Sequence, residues 1–245
     1  MSIAFVQSVT GAGATLAING VVQGHLLVIQ DTFFKAGSSS YTETKPSDAN
    51  GTVQDAVRVG SALFNLDSVG TSICFVENAS AGTHTVTPDA TTGSRHLTIT
   101  EFSGILHSGS LDQSNHGESN TADITSRSTN STANTTQNDE LLIAGLALAA
   151  FTGSANVGYT DPPTGGWTKL QSFVNDSSDV AGFHAYQIVA ATGPQSCTFN
   201  WTAHEAAMGA QAVIATFKAG DDSTADTKLV KQGTRPRAFG PGIAR

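Results

Sequence analysis

The feature that most limits what this chain can fold into is a buried-strand pattern that occurs twice in one register. Glu140 to Ala150, Glu-Leu-Leu-Ile-Ala-Gly-Leu-Ala-Leu-Ala-Ala, carries no charge after its first residue. An apolar run of this kind reads as a central strand covered on both faces. The earlier copy is His25 to Gln30, and Leu26 and Leu141 stand 115 positions apart. The same offset returns further along, where Leu97 to Phe102 falls on Ala212 to Phe217. Two distant segments sharing one offset are the mark of a tandem duplication.

The start of the chain extends the pattern. Gln7-Ser8, Gly11, Thr15 and Ile18 recur as Gln113-Ser114, Gly117, Thr121 and Ile124 at an offset of 106, so the second copy begins near Leu111. Growth of the offset from 106 to 115 places a nine-residue insertion between Ile124 and Glu140. The insertion falls in residues 126–138, which are almost entirely Ser, Thr and Asn and too poor in apolar residues to pack a core. That composition predicts an exposed loop. Asn50-Gly51 marks a turn, and Cys197, Phe199 and Trp201 alternate with polar neighbours as a half-buried strand requires. No long segment has a helical period. Each copy supplies about seven short strands over roughly a hundred residues, the spacing of an antiparallel sandwich. The expected fold is therefore all-β: two tandem duplicated β-sandwich (jelly-roll-like) domains, 1–108 and 109–219, followed by an extended C-terminal arm, 220–245.

Charged residues make up only 13% of the chain, which leaves a surface of Ser, Thr, Asn and Gly, a balance typical of extracellular or virion β-proteins. The first residues show no basic segment of a secretory signal, and no apolar run is long enough to span a membrane, so no membrane partner is expected. Cys74 and Cys197 fall in different copies at non-equivalent positions, which predicts two free, buried thiols.

Charge is distributed unevenly. Lys228, Lys231, Arg235, Arg237 and Arg245 give the end of the chain a formal +5 with no acid, which leaves −13 on residues 1–227. An acidic body repels phosphate, so the arm does not read as a nucleic-acid binder. With Phe239 and Ile243 as apolar anchors it reads as a docking peptide toward a second copy, in a homo-oligomer such as a trimer, or toward another particle protein.

No motif announces a chemistry. His204-Glu205-Ala206-Ala207-Met208 approaches the zinc-protease pattern, but Met208 stands where the second ligand is needed. There is no Gly-x-Ser-x-Gly elbow and no phosphate-binding loop. Asp48, Asn50 and Asp55, and Asp221, Asp222 and Asp226, offer oxygens to calcium without completing a known loop. No catalytic, metal or cofactor site is assigned, and no enzymatic activity is expected. Tyr159 and Trp167 are the candidate glycan-binding aromatics, weighed against anchoring of loops to the core; Phe33 and Phe34 also sit beside loops, whereas Trp201 and Tyr186 belong to strands.

The paired pattern Leu-Leu-Val/Ile, Tyr-Thr, Gly-Thr-His-Thr-Val-Thr and Ile-Thr-Glu-Phe-Ser-Gly resembles the Thr/Gly-rich β-sandwich domains of bacteriophage virion proteins and some bacterial surface proteins, over residues 1–219. The resemblance implies an accessory structural part of a virion, such as a capsid decoration protein or a tail or fibre component. It carries no catalytic residue with it. The alternative is a carbohydrate-binding or adhesin module that contacts host-surface glycans.

Overall fold

The structure, a computed structural model, describes residues 2–35, 37, 44–58, 62–64, 67–88, 95–119, 124–150, 158–159, 163, 165–175, 180–202 and 208–220. Every regular element among them is a β-strand. The first half contains β1 (Ala4–Gly11), β2 (Leu16–Val21), β3 (Leu26–Lys35), β4 (Ser47–Asp48), β5 (Gln54–Val57), β6 (Ala62–Phe64), β7 (Asp67–Val76), β8 (Gly82–Thr87) and β9 (Arg95–Ser103). The second contains β10 (Leu111–Ser119), β11 (Ser126–Ser128), β12 (Glu140–Ala150), β13 (Gly158–Tyr159), β14 (Thr168–Asn175), β15 (Val180–Val189), β16 (Thr198–Thr202) and β17 (Met208–Lys218).

Each sheet draws its strands from one half, and the two halves repeat the same order. The large sheets run β1-β9-β3-β7-β5 and β10-β17-β12-β15-β14, with β6 added beside β7; the small sheets run β2-β8-β4 and β11-β16-β13. Within each half the first strand pairs with the last and the second with the next to last, the nested hairpin wrapping of a jelly roll. Register repeats as well. Leu26 lies opposite Phe102 and Ile29 opposite Ile99, while 115 residues later Leu141 lies opposite Phe217 and Ala144 opposite Ile214. The irregularities are also duplicated: β1 bulges between Phe5 and Gln7, and β10 between Leu111 and Gln113.

The two large sheets pack face to face, so the molecule has four layers: small, large, large, small. This explains why β3 and β12 are apolar on both faces. Side chains alternate across a strand. Leu27 and Ile29 point to the first half's own core with Ile18, Cys74, Val86 and Leu97. Leu142, Ala144, Leu146 and Leu148 do the same in the second half, against Phe183, Phe199 and Trp201. The intervening residues Leu26, Val28, Leu141 and Ile143 meet between the halves, with Phe75, Phe102, Val213 and Phe217. Both cysteines are buried and unbridged.

One expectation holds only in part. Residues 129–138 form no strand and are mostly exposed, as a loop should be, but β11 pairs with β16, and Thr129, Thr132 and Thr135 are buried. The amides of these three threonines donate to the carbonyls of Cys197, Gln195 and Gly193, at 3.0, 2.9 and 3.0 Å. Their hydroxyls accept from the amides of the same three residues, at 3.1, 3.0 and 3.1 Å. A threonine at every third position thus extends the small sheet by using its hydroxyl where a strand would use a carbonyl. Apolar content is a poor guide here, because the segment is held by hydrogen bonds rather than by a core.

Candidate functional site

The densest polar constellation in the first half lies where β4 and β8 meet. The side chains of His84 and Asp48 are both fully buried, and His84 Nδ1 sits on Asp48 Oδ2 at 2.5 Å. Ser80 Oγ is 3.5 Å from His84 Nε2. Serine, histidine and aspartate in this order invite a hydrolase reading. In the structure these groups have other, closer partners. His84 Nε2 is closer, at 2.9 Å, to the Ser80 carbonyl, and Ser80 Oγ donates to the Asn50 carbonyl at 3.0 Å. The Ser80 hydroxyl is thus engaged with a backbone carbonyl, and the ring meets the Ser80 carbonyl more closely than the Ser80 hydroxyl. Asp48 Oδ1 accepts from the Asn50 amide, which occupies the second carboxylate oxygen in the turn whose oxygens were weighed for calcium. Gly51 is required beside it, because a Cβ there would come within 2.7 Å of Asp48 Oδ2 and 2.6 Å of Val76. Among the described residues no three His, Cys, Asp or Glu side chains gather as a metal site requires.

A second constellation closes the end of each sandwich, and it changes sides between the halves. In the first, the buried Glu101 of β9 accepts from Gln7 Nε2 at 2.6 Å, from the Val22 amide at 2.9 Å, and pairs with His25 Nδ1 at 2.6 Å. At the equivalent places the second half has Thr216 for Glu101 and Glu140 for His25. Burial, with the Asp112 carboxylate beside it, pushes the Glu140 carboxyl up to about 7. Asp112 itself is held below the usual carboxylate range: burial opposes this, but the hydroxyl and amide of Thr136 donate to it and prevail.

Between the large sheets an apolar end gives way to a polar belt. His184 is fully buried, with Nε2 3.0 Å from Thr32 Oγ1 and Nδ1 2.8 Å from Thr98 Oγ1. Gln211 Oε1 accepts from the Thr71 amide at 2.8 Å, and Gln30 Nε2 donates to the Ala144 carbonyl at 3.0 Å. Burial, and next the neighbouring His96, hold His184 down at about 3, so it is a neutral ring. His96 is also lowered by burial and stacks on Phe173 at 4.1 Å. These groups join the two halves.

The sequence-derived candidates are placed as follows. Trp167 is 4% exposed and packs in the second half's core. That corrects its assignment as a glycan-binding platform, since a ring enclosed by the core has no face for a sugar; anchoring is its role. Phe33 is likewise buried. The side chain of Tyr159 lies outside the described residues, although its backbone pairs with Trp201. His204, Glu205, Asp221, Asp222 and Asp226, and the arm residues Lys228, Lys231, Arg235, Arg237, Phe239, Ile243 and Arg245, also lie outside them. The polar belt was missed in sequence. Its signal is a polar residue within an otherwise apolar strand, as at Gln30 after Leu26 to Ile29 and at Gln211 before Ala212 to Ile214.

No protein-family model, curated protein or solved structure matches the chain.

Proposed function

We propose that the chain is a non-enzymatic structural protein of a virion, a capsid decoration or a tail or fibre component, that assembles through the residues after Gly220. The observation that carries this reading is how the fold uses its buried ionisable groups. The Ser80–His84–Asp48 set and the Glu101–His25 pair tie separate turns and strands together, and the Ser80 hydroxyl donates to a backbone carbonyl. The four-layer stack covers both faces of both large sheets, which suits a rigid building block. Charge supports the arm as the connector, with +5 from Lys228 onward against −13 before it. Phe239 and Ile243 would each add about 1.5–3 kcal/mol if fully removed from water. The receiving surface is a second copy, in a closed oligomer such as a trimer, or another protein of the particle.

Ending the chain after Gly220 tests this. The shortened protein should keep its far-ultraviolet circular dichroism and melting profile but lose oligomer mass by light scattering, or lose co-sedimentation with the source particle. Unchanged mass together with unchanged co-sedimentation would refute the proposal.

A further inference from the structure

The two halves treat the same sheet edge differently. β1 and β10 are equivalent strands at the end of each large sheet, and among the described residues each has one strand neighbour in that sheet, β9 and β17. Along β10 the insertion covers the other side. Asn130 Nδ2 donates to the His116 carbonyl at 2.7 Å, and the His116 amide donates to Asn115 Oδ1 at 2.8 Å. Asn115 Nδ2 donates to the Ser131 carbonyl at 2.5 Å, and the amide and hydroxyl of Thr136 both donate to Asp112 at 2.6 Å. Backbone groups that a further strand would need are thus taken by side chains.

β1 lacks this cover. The 106-residue offset puts Val6 at the place of Asp112, Val9 at that of Asn115 and Thr10 at that of His116. Neither valine can form these bonds, and the first half has no counterpart of the insertion. Val6 is 41% exposed, and Thr10 is exposed as well. Beyond the bulge at Val6, residues 7–11 keep a regular register with β9 on one side. Their other side is an edge about 17 Å long with no strand upon it among the described residues.

The far edges are guarded. β14 carries Lys169 with a bulge beside it, and β5 carries a bulge and Asp55, which pairs with Arg58 at 3.2 Å. β6, next to β5, is three residues long. Charges, bulges and short length all discourage pairing at an edge. Residues 1–30, by contrast, hold no Asp, Glu, Lys or Arg. This bears on the identity of a partner, because a strand that pairs with its own copy about a two-fold sets each of its charges near the same charge. Two bodies with a formal −13 over residues 1–227 can meet along β1 without that clash, whereas β10 would bring Asp112 and Glu118 toward their own copies. We propose that β1 is a docking edge for a second copy of the chain, whose own β1 adds antiparallel about a two-fold and carries the large sheet from one body into the next. This contact is separate from that of the residues after Gly220 and does not rest on it.

Sedimentation velocity of the full chain and of its double variant Val6→Lys, Thr10→Lys tests the proposal, since lysines at these exposed positions set like charges across the two-fold. The full chain should contain an even number of copies and the variant about half that mass, with unchanged far-ultraviolet circular dichroism. An odd copy number in the full chain, a monomer included, or equal masses for the two proteins overturns it. Where the variant fails to fold, deuterium exchange in the unaltered chain decides. Residues 4–11 should exchange about fivefold or more slowly in the oligomer than in the protein diluted until its mass falls, while residues 111–119, already covered, exchange alike in both. Equal exchange over residues 4–11 overturns the proposal, and slowing that appears only when source particles are added gives the edge to another particle protein and overturns it too. Failure of the arm reading shows separately, as mass and particle binding unchanged by ending the chain after Gly220 while the double variant still halves the mass.

Discussion

A neutral, buried histidine between two sheets makes a calculable demand on pH. His184 is held at about 3 in the folded chain against an ordinary value of 6.5. A base whose folded value is depressed is protonated first in the unfolded chain. Its contribution is therefore intact above about pH 6.5 and is lost as pH falls toward 3. The two values give a loss of about 2 kcal/mol at pH 5 and about 3 kcal/mol at pH 4 from this one ring. His184→Gln removes the titration while keeping a polar group between Thr32 and Thr98. Urea unfolding of both proteins at pH 7.5, 5 and 4 is the assay. The variant should be the less stable at pH 7.5, because the Thr32 and Thr98 bonds are disturbed, and the gap should narrow by those amounts on acidification. Parallel profiles down to pH 4 would refute the view that His184 is neutral and sealed between the sheets.

Three further outcomes follow from the same geometry. Glu140 is the opposite case: its folded value is raised to about 7 from 4.5, so its contribution is present below about pH 4.5 and lost as pH rises through 7. Glu140→Gln should therefore raise the urea midpoint at pH 8 and leave it nearly unchanged at pH 4.5. Phe217→Ala empties a fully buried ring position between the halves and should cost about 3–5 kcal/mol in one cooperative transition; two separate transitions, with only the second half affected, would contradict a shared core. Thr132→Ala leaves the Gln195 amide without its acceptor and should cost about 1–3 kcal/mol by the same measurement, whereas a free loop would register no change.

The duplication was legible because a buried central strand tolerates few polar residues, so Leu26 to Ile29 and Leu141 to Ala144 kept their apolar character and their offset. Bulges moved with the offset as well, at Val6 and Asp112. What could not be read was the second use of each large sheet. The chain shows that β12 is covered on both faces but not by what, and only the alternation of Leu141 and Ile143 with Leu142 and Ala144 between two clusters reveals the partner sheet. Residues 126–138 were legible as an exposed loop but not in how they are held: three threonine hydroxyls acting as ladder acceptors leave no hydropathy signal. Trp167 was ambiguous in kind, since loop aromatics serve both as sugar platforms and as anchors, and burial alone separates the two.

The most direct test of the central claim is to locate the protein in its native setting. Antibody–gold labelling of purified source particles, imaged in negative stain, should decorate the particle surface at regular positions, and the label should disappear from particles carrying the chain ended after Gly220. Labelling confined to soluble material, with particles clean in both cases, would contradict a virion structural role.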